Sequence, residues 1–370
     1  MKPLFWLSLA LVVYAYMGYA LWLCLYVRLK RVPIASRYIY PRVSVVIAAK
    51  NEEGNLPAKL ENLRRLRYPQ DLIEIVVASD GSTDRTASIL RDQDGQVVPV
   101  ILDTSQGKAA ALNAAVHASS GEILVFLDAR QSVDEDAIAE LVSCFADDSV
   151  GAVSGELLIE STAGMPSQNA LGLYWKIEKI VRKLESESGS VVGVTGAIYA
   201  LRRELFTEIP AGTILDDVFV PMNVARTGKR VVFQPRAVAR DRLFSQKGKE
   251  FTRKVRTLTG NYQLIRLAPW LLSPRNPMLF RFVSHKVIRL AAPLLLALAL
   301  IASALAQGAF YRAAFWLQIL FYSLAALGSI LPPVRRFKPI AIASTFMMLN
   351  LAATLAFYNF VSRRNTVWVK

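Results

Sequence analysis

The chain has 370 residues, of which 53% are hydrophobic and 20% are charged, and its formal net charge is +15. This length suits one large domain or two modest ones, and the hydrophobic share is high for a soluble protein. Because the two cysteines and the two histidines are far apart in the sequence, they argue against a disulfide, a zinc site and a Ser-His-Asp triad.

Four stretches contain no charged residue and are long enough to cross a ~30 Å hydrocarbon core as helices. They are Pro3–Val27, Leu290–Tyr311, Ala313–Val334 and Pro339–Ser362. A cleaved signal peptide is the weaker interpretation of the first stretch, because the stretch is too long and its basic flank follows it. Since positive flanks stay in the cytosol, residues 28–289 are expected there. The sequence predicts a multi-pass protein of the inner or plasma membrane.

After the first span, apolar strand patterns alternate with helical patterns. The strand patterns are Pro41–Ala49, Ile73–Ala78, Val97–Leu102 and Gly121–Leu127. This alternation predicts an α/β fold with a mostly parallel sheet and right-handed crossovers. Ligands of such sheets bind outside the carboxyl ends of the strands. Polar residues follow three of these ends, at Asn51–Glu52, Asp80 and Asp128, and they predict a ligand site.

Asp128 is placed where a metal or a nucleotide would be held, because five apolar residues run directly into it. Arg130 follows at the position where a metal-binding loop would usually carry a second carboxylate. Lys108 stands at a predicted helix start, and helix N-termini attract phosphate. A solvated helix lysine is the alternative interpretation of Lys108.

Asp216 and Asp217 form an acidic pair inside an apolar stretch, where uncompensated carboxylates cost free energy. One interpretation is that the pair caps the helix that follows. The other is a general base, since a neighbouring carboxylate and partial burial would raise the pKa of one member.

Basic residues are concentrated between residues 226 and 289, where 16 Lys or Arg accompany two acids. Because this run leads into a membrane segment, it predicts contact with anionic lipid headgroups, and part of it could serve an anionic substrate. Nucleic acid is the weaker alternative, since no nucleic-acid-binding motif is present. Residues 261–286 mix aromatic residues, prolines and arginines, and they are predicted to lie along the cytosolic leaflet.

In their order along the chain, these motifs resemble the inverting, nucleotide-sugar-dependent glycosyltransferases of family 2. That group includes cellulose, chitin and hyaluronan synthases and many bacterial polysaccharide enzymes. The matching elements are Val45–Glu53, Ser79–Asp84, Gly107–Asn113, Leu127–Arg130, Val194–Arg203, Leu215–Phe219 and Arg253–Thr257.

The resemblance implies a cytosolic domain with the Rossmann-like, mostly parallel GT-A fold in residues 41–260. A membrane helix in residues 1–30 would precede this domain. The interfacial segment 261–286 and three membrane helices in residues 287–362 would follow it.

The resemblance also implies which residues bind the donor. Ala49 and Glu52 would hold the nucleobase, Asp80 would contact the uridine part of a UDP-sugar, and Lys108 would lie near the sugar or the diphosphate. On the acceptor side, the resemblance assigns Gly196, whose missing side chain would let a sugar approach the backbone.

Two further matches concern the metal and the diphosphate. Asp128 matches the first acid of the family's Asp-x-Asp element and would hold Mg²⁺ or Mn²⁺, while Arg130 replaces the second acid. Arg256 matches the arginine of Gln-x-x-Arg-Trp and would clamp the diphosphate together with Arg253. Thr257 replaces the tryptophan that stacks under the acceptor in processive synthases, so long-chain processivity is not expected.

The match at Leu215–Phe219 implies that Asp217 is the catalytic base and that Asp216 is its neighbour on the acceptor side. The expected activity is that of an inverting hexosyltransferase that uses a lipid-linked or glycan acceptor. It would serve the synthesis of a cell-surface or extracellular polysaccharide or of a glycolipid. The expected partners are the nucleotide sugar, the acceptor and membrane lipids, with oligomers allowed and nucleic acid excluded.

Two alternatives remain open at this stage. A processive polysaccharide synthase with a translocation channel would need more helices than four, or an oligomer. A non-catalytic membrane subunit that binds nucleotide sugars would explain the altered Asp-x-Asp and Gln-x-x-Arg-Trp elements. The retained acids and Arg256 argue against this second alternative.

Overall fold

A mixed sheet of eight strands forms the centre of the computed structural model, which describes residues 1–93, 95, 97–160, 169–242 and 249–362. The strands are β1 (Val43–Ala49), β2 (Ile73–Asp80), β3 (Val97–Leu102), β4 (Ile123–Asp128), β5 (Ser132–Val133), β6 (Val150–Glu160), β7 (Ile198–Arg202) and β8 (Arg230–Arg242). Their order across the sheet is β3-β2-β1-β4-β7-β6-β8-β5.

Helices pack on the sheet and extend away from it. They are α1 (Lys2–Leu29), α2 (Leu56–Arg64), α3 (Thr86–Arg91), α4 (Lys108–His117), α5 (Ala137–Ser143), α6 (Asn169–Glu187), α7 (Asp216–Arg226), α8 (Lys249–Leu267), α9 (Leu279–Leu305), α10 (Ala309–Ile330) and α11 (Lys338–Val361). Short 3₁₀ turns lie at Gln70–Leu72, Cys144–Ala146, Arg203–Leu205, Pro269–Leu272 and Pro332–Arg336.

The first four strands form the parallel part of the sheet, as the sequence predicts. β1 lies between β2 and β4 and is parallel to both, and β3 extends the sheet beyond β2. Every residue of β1 is buried, because helices cover both faces of the sheet. Val45 and Ile47 point into one core, and Val46 points into the other. Burial on both faces explains why these strands read as continuous apolar runs.

The second half of the sheet is mixed. β7 lies antiparallel between β4 and β6, whereas β8 runs parallel to β6. The pairing of β6 with β8 shifts register at Val150/Ala152 and at Ser154/Glu156. The two residues of β5 pair antiparallel with β8. The predicted α/β class is therefore confirmed, and the sheet as a whole is mixed.

Among the described residues, four helices are long and apolar enough to cross a membrane, namely α1, α9, α10 and α11. Large side chains such as Trp316 and Leu317 of α10 remain about two-thirds exposed, at 66% and 65%. Such a surface needs an apolar surrounding, so the helices indicate a membrane protein.

The structure divides the predicted interfacial segment among three elements. Residues 261–267 finish α8, a 3₁₀ turn follows at Pro269–Leu272, and α9 already begins at Leu279. α8 lies along the last apolar helix, since the Tyr262 ring stacks on Phe360 of α11.

α1 and α9 each contain a π-helical turn, at Tyr14–Gly18 and Val283–Val287. The turns face each other, because the hydroxyls of Tyr14 and Ser284 are 2.8 Å apart. Single π turns inside α-helices accompany functional sites more often than chance allows.

Candidate functional site

A lysine and two aspartates from three elements meet at the carboxyl end of β4. Lys108 opens α4, Asp128 ends β4, and Asp216 lies in the first turn of α7. The Lys108 Nζ atom is 3.2 Å from Asp128 Oδ1 and 3.4 Å from Asp216 Oδ2. The structure therefore brings together residues that are far apart in the sequence, at the edge of the sheet where a ligand is expected.

Asp80 fixes the position of Lys108 through the turn that precedes α4. Its fully buried carboxylate accepts hydrogen bonds from Ser105 Oγ at 2.8 Å, from the Gln106 amide at 2.6 Å and from the Gly107 amide at 3.0 Å. Gly107 has a φ of 94°, which favours glycine, and α4 starts at the next residue. This contact set gives Asp80 a structural role, and its contact with a nucleoside stays a prediction.

The charges in the site shift the pKa values of two of its groups. Burial lowers the pKa of Lys108, but Asp128, Asp216 and Asp217 together outweigh burial and hold it above its ordinary value. Burial and the adjacent Asp216 carboxylate raise the pKa of Asp217 to about 7, although Lys108 opposes them. The site thus combines a permanent cation with a carboxylate whose pKa suits a general base near neutral pH.

Asp217 is held by the segment that precedes β7. Its carbonyl accepts a hydrogen bond from the Val194 amide at 2.9 Å. A Cβ atom on Gly196 would lie 3.2 Å from Asp217 Oδ2, so the glycine leaves room for this carboxylate. Neither Asp216 nor Asp217 is the cap residue of α7, because Leu215 takes that position without a side-chain hydrogen bond.

Arg130 is anchored to β8 by an ion pair, although its side chain is 45% exposed. Its guanidinium pairs with Asp241, a buried carboxylate that also accepts a hydrogen bond from Gln131 Nε2 at 3.2 Å. The cation that replaces the second acid of the loop is therefore compensated by an acid from another strand.

The residues predicted to hold the nucleobase lie at the end of β1. Ala49 is fully buried in the core, and its contact with a base stays a prediction. The Glu52 amide donates to Thr86 Oγ1 at 2.8 Å, and its carboxylate accepts from Asn55 Nδ2 at 2.6 Å. These contacts join the loop after β1 to the start of α3.

Arg253 and Arg256 lie in the first half of α8. Arg253 is exposed and Arg256 is partly buried, and neither forms an ion pair with a carboxylate of the described residues. α8 nevertheless packs beside the site, because Gln263 Oε1 accepts from the Ile214 amide at 2.9 Å, two residues before Asp216. Their predicted contact with the diphosphate stays a prediction.

Lys59 is a buried cation behind the loop that follows β4, and it is not among the site residues predicted from the sequence. It is 3% exposed, and its Nζ donates to the Gln131 carbonyl at 2.7 Å. Burial lowers the pKa of Lys59 to about 7, against the opposing charge of Asp128. Its burial could have been predicted from helical spacing, because Lys59 lies on the same face of α2 as the buried Leu56 and Leu63.

Comparison with known proteins agrees with this fold. Residues 44–209 match the family model described as glycosyl transferase family 2. The chain is 34% identical over 159 residues to a beta-monoglucosyldiacylglycerol synthase from Synechocystis sp., a match that covers 40% of this chain and 33% of that protein. It is 24% identical over 229 residues to the poly-beta-1,6-N-acetyl-D-glucosamine synthase of Staphylococcus epidermidis, which covers 60% of this chain and 55% of that synthase.

The chain thus spans between a third and just over half of the length of these curated relatives. Among solved structures, the mannosyltransferase PcManGT from Pyrobaculum calidifontis, in complex with GDP-Man and Mn²⁺, superposes with a TM-score of 0.72. That match has 24% identity and covers 98% of this chain and 99% of the other, which shows a shared GT-A fold. Over residues 44–209, this chain is therefore similar to glycosyl transferase family 2.

Proposed function

We propose that this protein is an inverting glycosyltransferase, which moves a sugar from a nucleoside-diphosphate sugar to a lipid-linked or glycan acceptor at a cell membrane. The observation that carries the proposal is the cluster of Lys108, Asp128, Asp216 and Asp217 at the end of β4. Lys108 and Asp128 lie within residues 44–209, which match the family 2 model, and the two aspartates of α7 follow shortly after that region. The four apolar helices and the basic flank of α1 support a membrane protein with a cytosolic catalytic domain.

In the proposed reaction, Asp217 accepts the proton of an acceptor hydroxyl. The hydroxyl oxygen forms a bond to the anomeric carbon while the bond to the diphosphate breaks on the opposite face, and the bonding electrons leave with the nucleoside diphosphate. Lys108 provides a fixed positive charge near Asp128, where we propose that the diphosphate binds. Asp216 keeps the pKa of Asp217 high enough for proton transfer.

Asp128 is the residue that we propose as the ligand of a divalent cation. Its side chain is 37% exposed, which leaves it accessible to a bound substrate. Within the described ranges, no group of three or more His, Cys, Asp or Glu side chains is arranged to hold a metal. One carboxylate suits a Mg²⁺ or Mn²⁺ ion that also binds substrate phosphates, and such an ion would neutralise charge on the leaving diphosphate.

A panel of nucleotide sugars, assayed for release of nucleoside diphosphate by the purified full-length protein, tests the proposal. We expect one donor to be consumed in the presence of an acceptor, and we expect excess chelator to lower the rate. The panel includes UDP-sugars, which the sequence resemblance implies as donors, and GDP-mannose, because PcManGT binds it. Specific donor binding without any turnover would instead support the non-catalytic subunit, and full activity in chelator would exclude the metal.

Turnover should depend on pH through Asp217. Burial and Asp216 raise the pKa of this carboxyl to about 7, and a general base must be ionised to accept a proton. We therefore expect kcat to rise as the pH increases through about 7 and then to level off. The measurement is kcat with saturating donor and acceptor over a pH series. A rate that falls as the pH rises through this range would contradict the role of Asp217 as a base.

A further inference from the structure

Lys286 lies in the π-helical turn of α9. Among the described residues, the hydrogen bonds and ion pairs around this turn do not include its ammonium group. On either side of it in the sequence, His285 and Arg289 are both bound to glutamates of α6. Lys286 itself is partly exposed, and across the described part of the chain its ammonium takes part in no hydrogen bond and no ion pair.

The glutamates near Lys286 are occupied by other donors. Glu178 binds Arg289 and also His285 Nε2, which is 3.2 Å away. Glu185 binds His285 Nδ1 at 2.8 Å and accepts from the Tyr19 hydroxyl at 2.7 Å. This network fixes the turn of α9 against α6 and α1, so the backbone that carries Lys286 is held in place.

The start of α9 is also fastened to the segment that supports the proposed base. The Arg281 guanidinium donates to the carbonyls of Glu185, Ser188 and Ser190, at 2.9, 2.8 and 3.0 Å. The same segment continues to Val194, whose amide donates to the Asp217 carbonyl. The start of α9 and the backbone of Asp217 are therefore linked through residues 185–194.

The charge of Lys286 reaches Asp217. Its ammonium is one of the two cations, with Lys108, that oppose the rise in the pKa of Asp217. Lys108 is paired with Asp128 and Asp216, whereas Lys286 has no hydrogen bond or ion pair among the described residues. Because it lies near the first turns of an apolar helix, at the end next to the catalytic domain, we place it at the level of lipid headgroups.

We propose that Lys286 binds the phosphate of a lipid acceptor and so presents a hydroxyl of that lipid to Asp217. A compact ammonium with three donors is a common phosphate ligand, and a lipid phosphate would lie at the same depth in the membrane. The proposal rests on the proposed function and names its acceptor class. The bond changes are those already given, with the hydroxyl oxygen of the headgroup as the nucleophile.

Binding of three probes in dodecyl maltoside micelles tests this proposal without requiring turnover. The probes are phosphatidylglycerol, phosphatidic acid and neutral diacylglycerol, each measured with the full-length protein and with Lys286→Met. We expect the two phospholipids to bind more tightly than diacylglycerol, and Lys286→Met to weaken them roughly 10- to 100-fold, the usual worth of a hydrogen bond to a charged group. Lys286→Arg should retain most of the affinity.

Lys183→Met is the matched control, because Lys183 is a 64% exposed lysine of α6 that pairs with Glu187. Equal affinity of the wild type and Lys286→Met for both phospholipids would overturn the proposal, as would equal binding of diacylglycerol. If inorganic phosphate at the same concentration displaced the lipid, the site would bind phosphate in general, and the proposal of a lipid ligand would be wrong. If Lys286 only balances the charges of Glu178 and Glu185, Lys286→Met should lower thermal stability and leave the preference for phospholipids unchanged. If no nucleotide sugar in the panel were consumed, the proposed transferase activity would fail, but the lipid-binding result would still stand. The two proposals can therefore be tested separately.

Discussion

Replacement of Asp217 by asparagine should lower kcat by about 10² to 10⁴, the usual contribution of a positioned general base. The amide keeps the shape of the carboxylate but cannot accept the proton of the acceptor. Because Gly196 leaves room for this side chain, the variant should fold like the wild type. The measurement is the rate of nucleoside diphosphate release at saturating acceptor, together with the thermal unfolding midpoint.

A matched control for this variant is Asp148→Asn, since Asp148 is fully exposed and lies at a distant turn before β6. Its activity should equal that of the wild type. The assignment of Asp217 fails if Asp217→Asn is folded and turns over at a nearly normal rate. Such a result would also remove the explanation of the rise in activity near pH 7.

Replacement of Lys108 by methionine should affect both activity and stability. The ammonium lies between Asp128 and Asp216 and is only 19% exposed, so its loss leaves carboxylates facing each other without a cation. Removing one partner of a buried pair costs about 3–5 kcal/mol. Loss of a fixed charge near the leaving diphosphate should lower kcat by about 10² to 10³.

The stability defect of Lys108→Met should depend on pH in a known direction. Without the ammonium, the carboxylates repel one another when ionised, and protonation relieves this repulsion. The difference in free energy of unfolding between wild type and variant should therefore be larger above pH 7 than at acidic pH. Denaturant unfolding at two pH values measures it.

Two variants control the Lys108→Met experiment. Lys108→Arg keeps the charge and should retain most of the stability, whereas Lys183→Met removes a 64% exposed lysine whose partner Glu187 also pairs with Arg31, and it should change little. An equally stable Lys108→Met protein at all pH values would contradict the arrangement of charges described for the site.

The parallel part of the sheet and the acids at its edge were predictable, because each depends on a short stretch of sequence. Each of the first four strands is a short apolar run, and the rule for parallel sheets brings the residues after their ends to one edge. Asp128 and Lys108 could therefore be assigned to a common site from the sequence. Asp217 needed the family resemblance, since it follows no strand end and its pair with Asp216 allowed a capping interpretation.

The remaining features depend on contacts between distant parts of the chain. The insertion of β7 between β4 and β6 is antiparallel, and a strand pattern alone does not choose the partner or the direction of a strand. The pairing of Arg130 with Asp241 joins residues 111 positions apart. The π turn of α9 follows from its contacts with α1 and α6, which no local periodicity encodes.

The order of the strands has a consequence for the shape of the sheet. Only Ala129, Arg130 and Gln131 separate β4 from β5, yet three other strands lie between these two in the sheet. Four steps of extended chain reach at most about 14 Å, whereas four strand spacings in a flat sheet measure about 19 Å. The sheet must therefore curl towards a half-closed barrel, and the register shifts of β6 supply curvature. Asp128 stands where the chain closes this curve, so the curl of the sheet sets how far the site lies from β8.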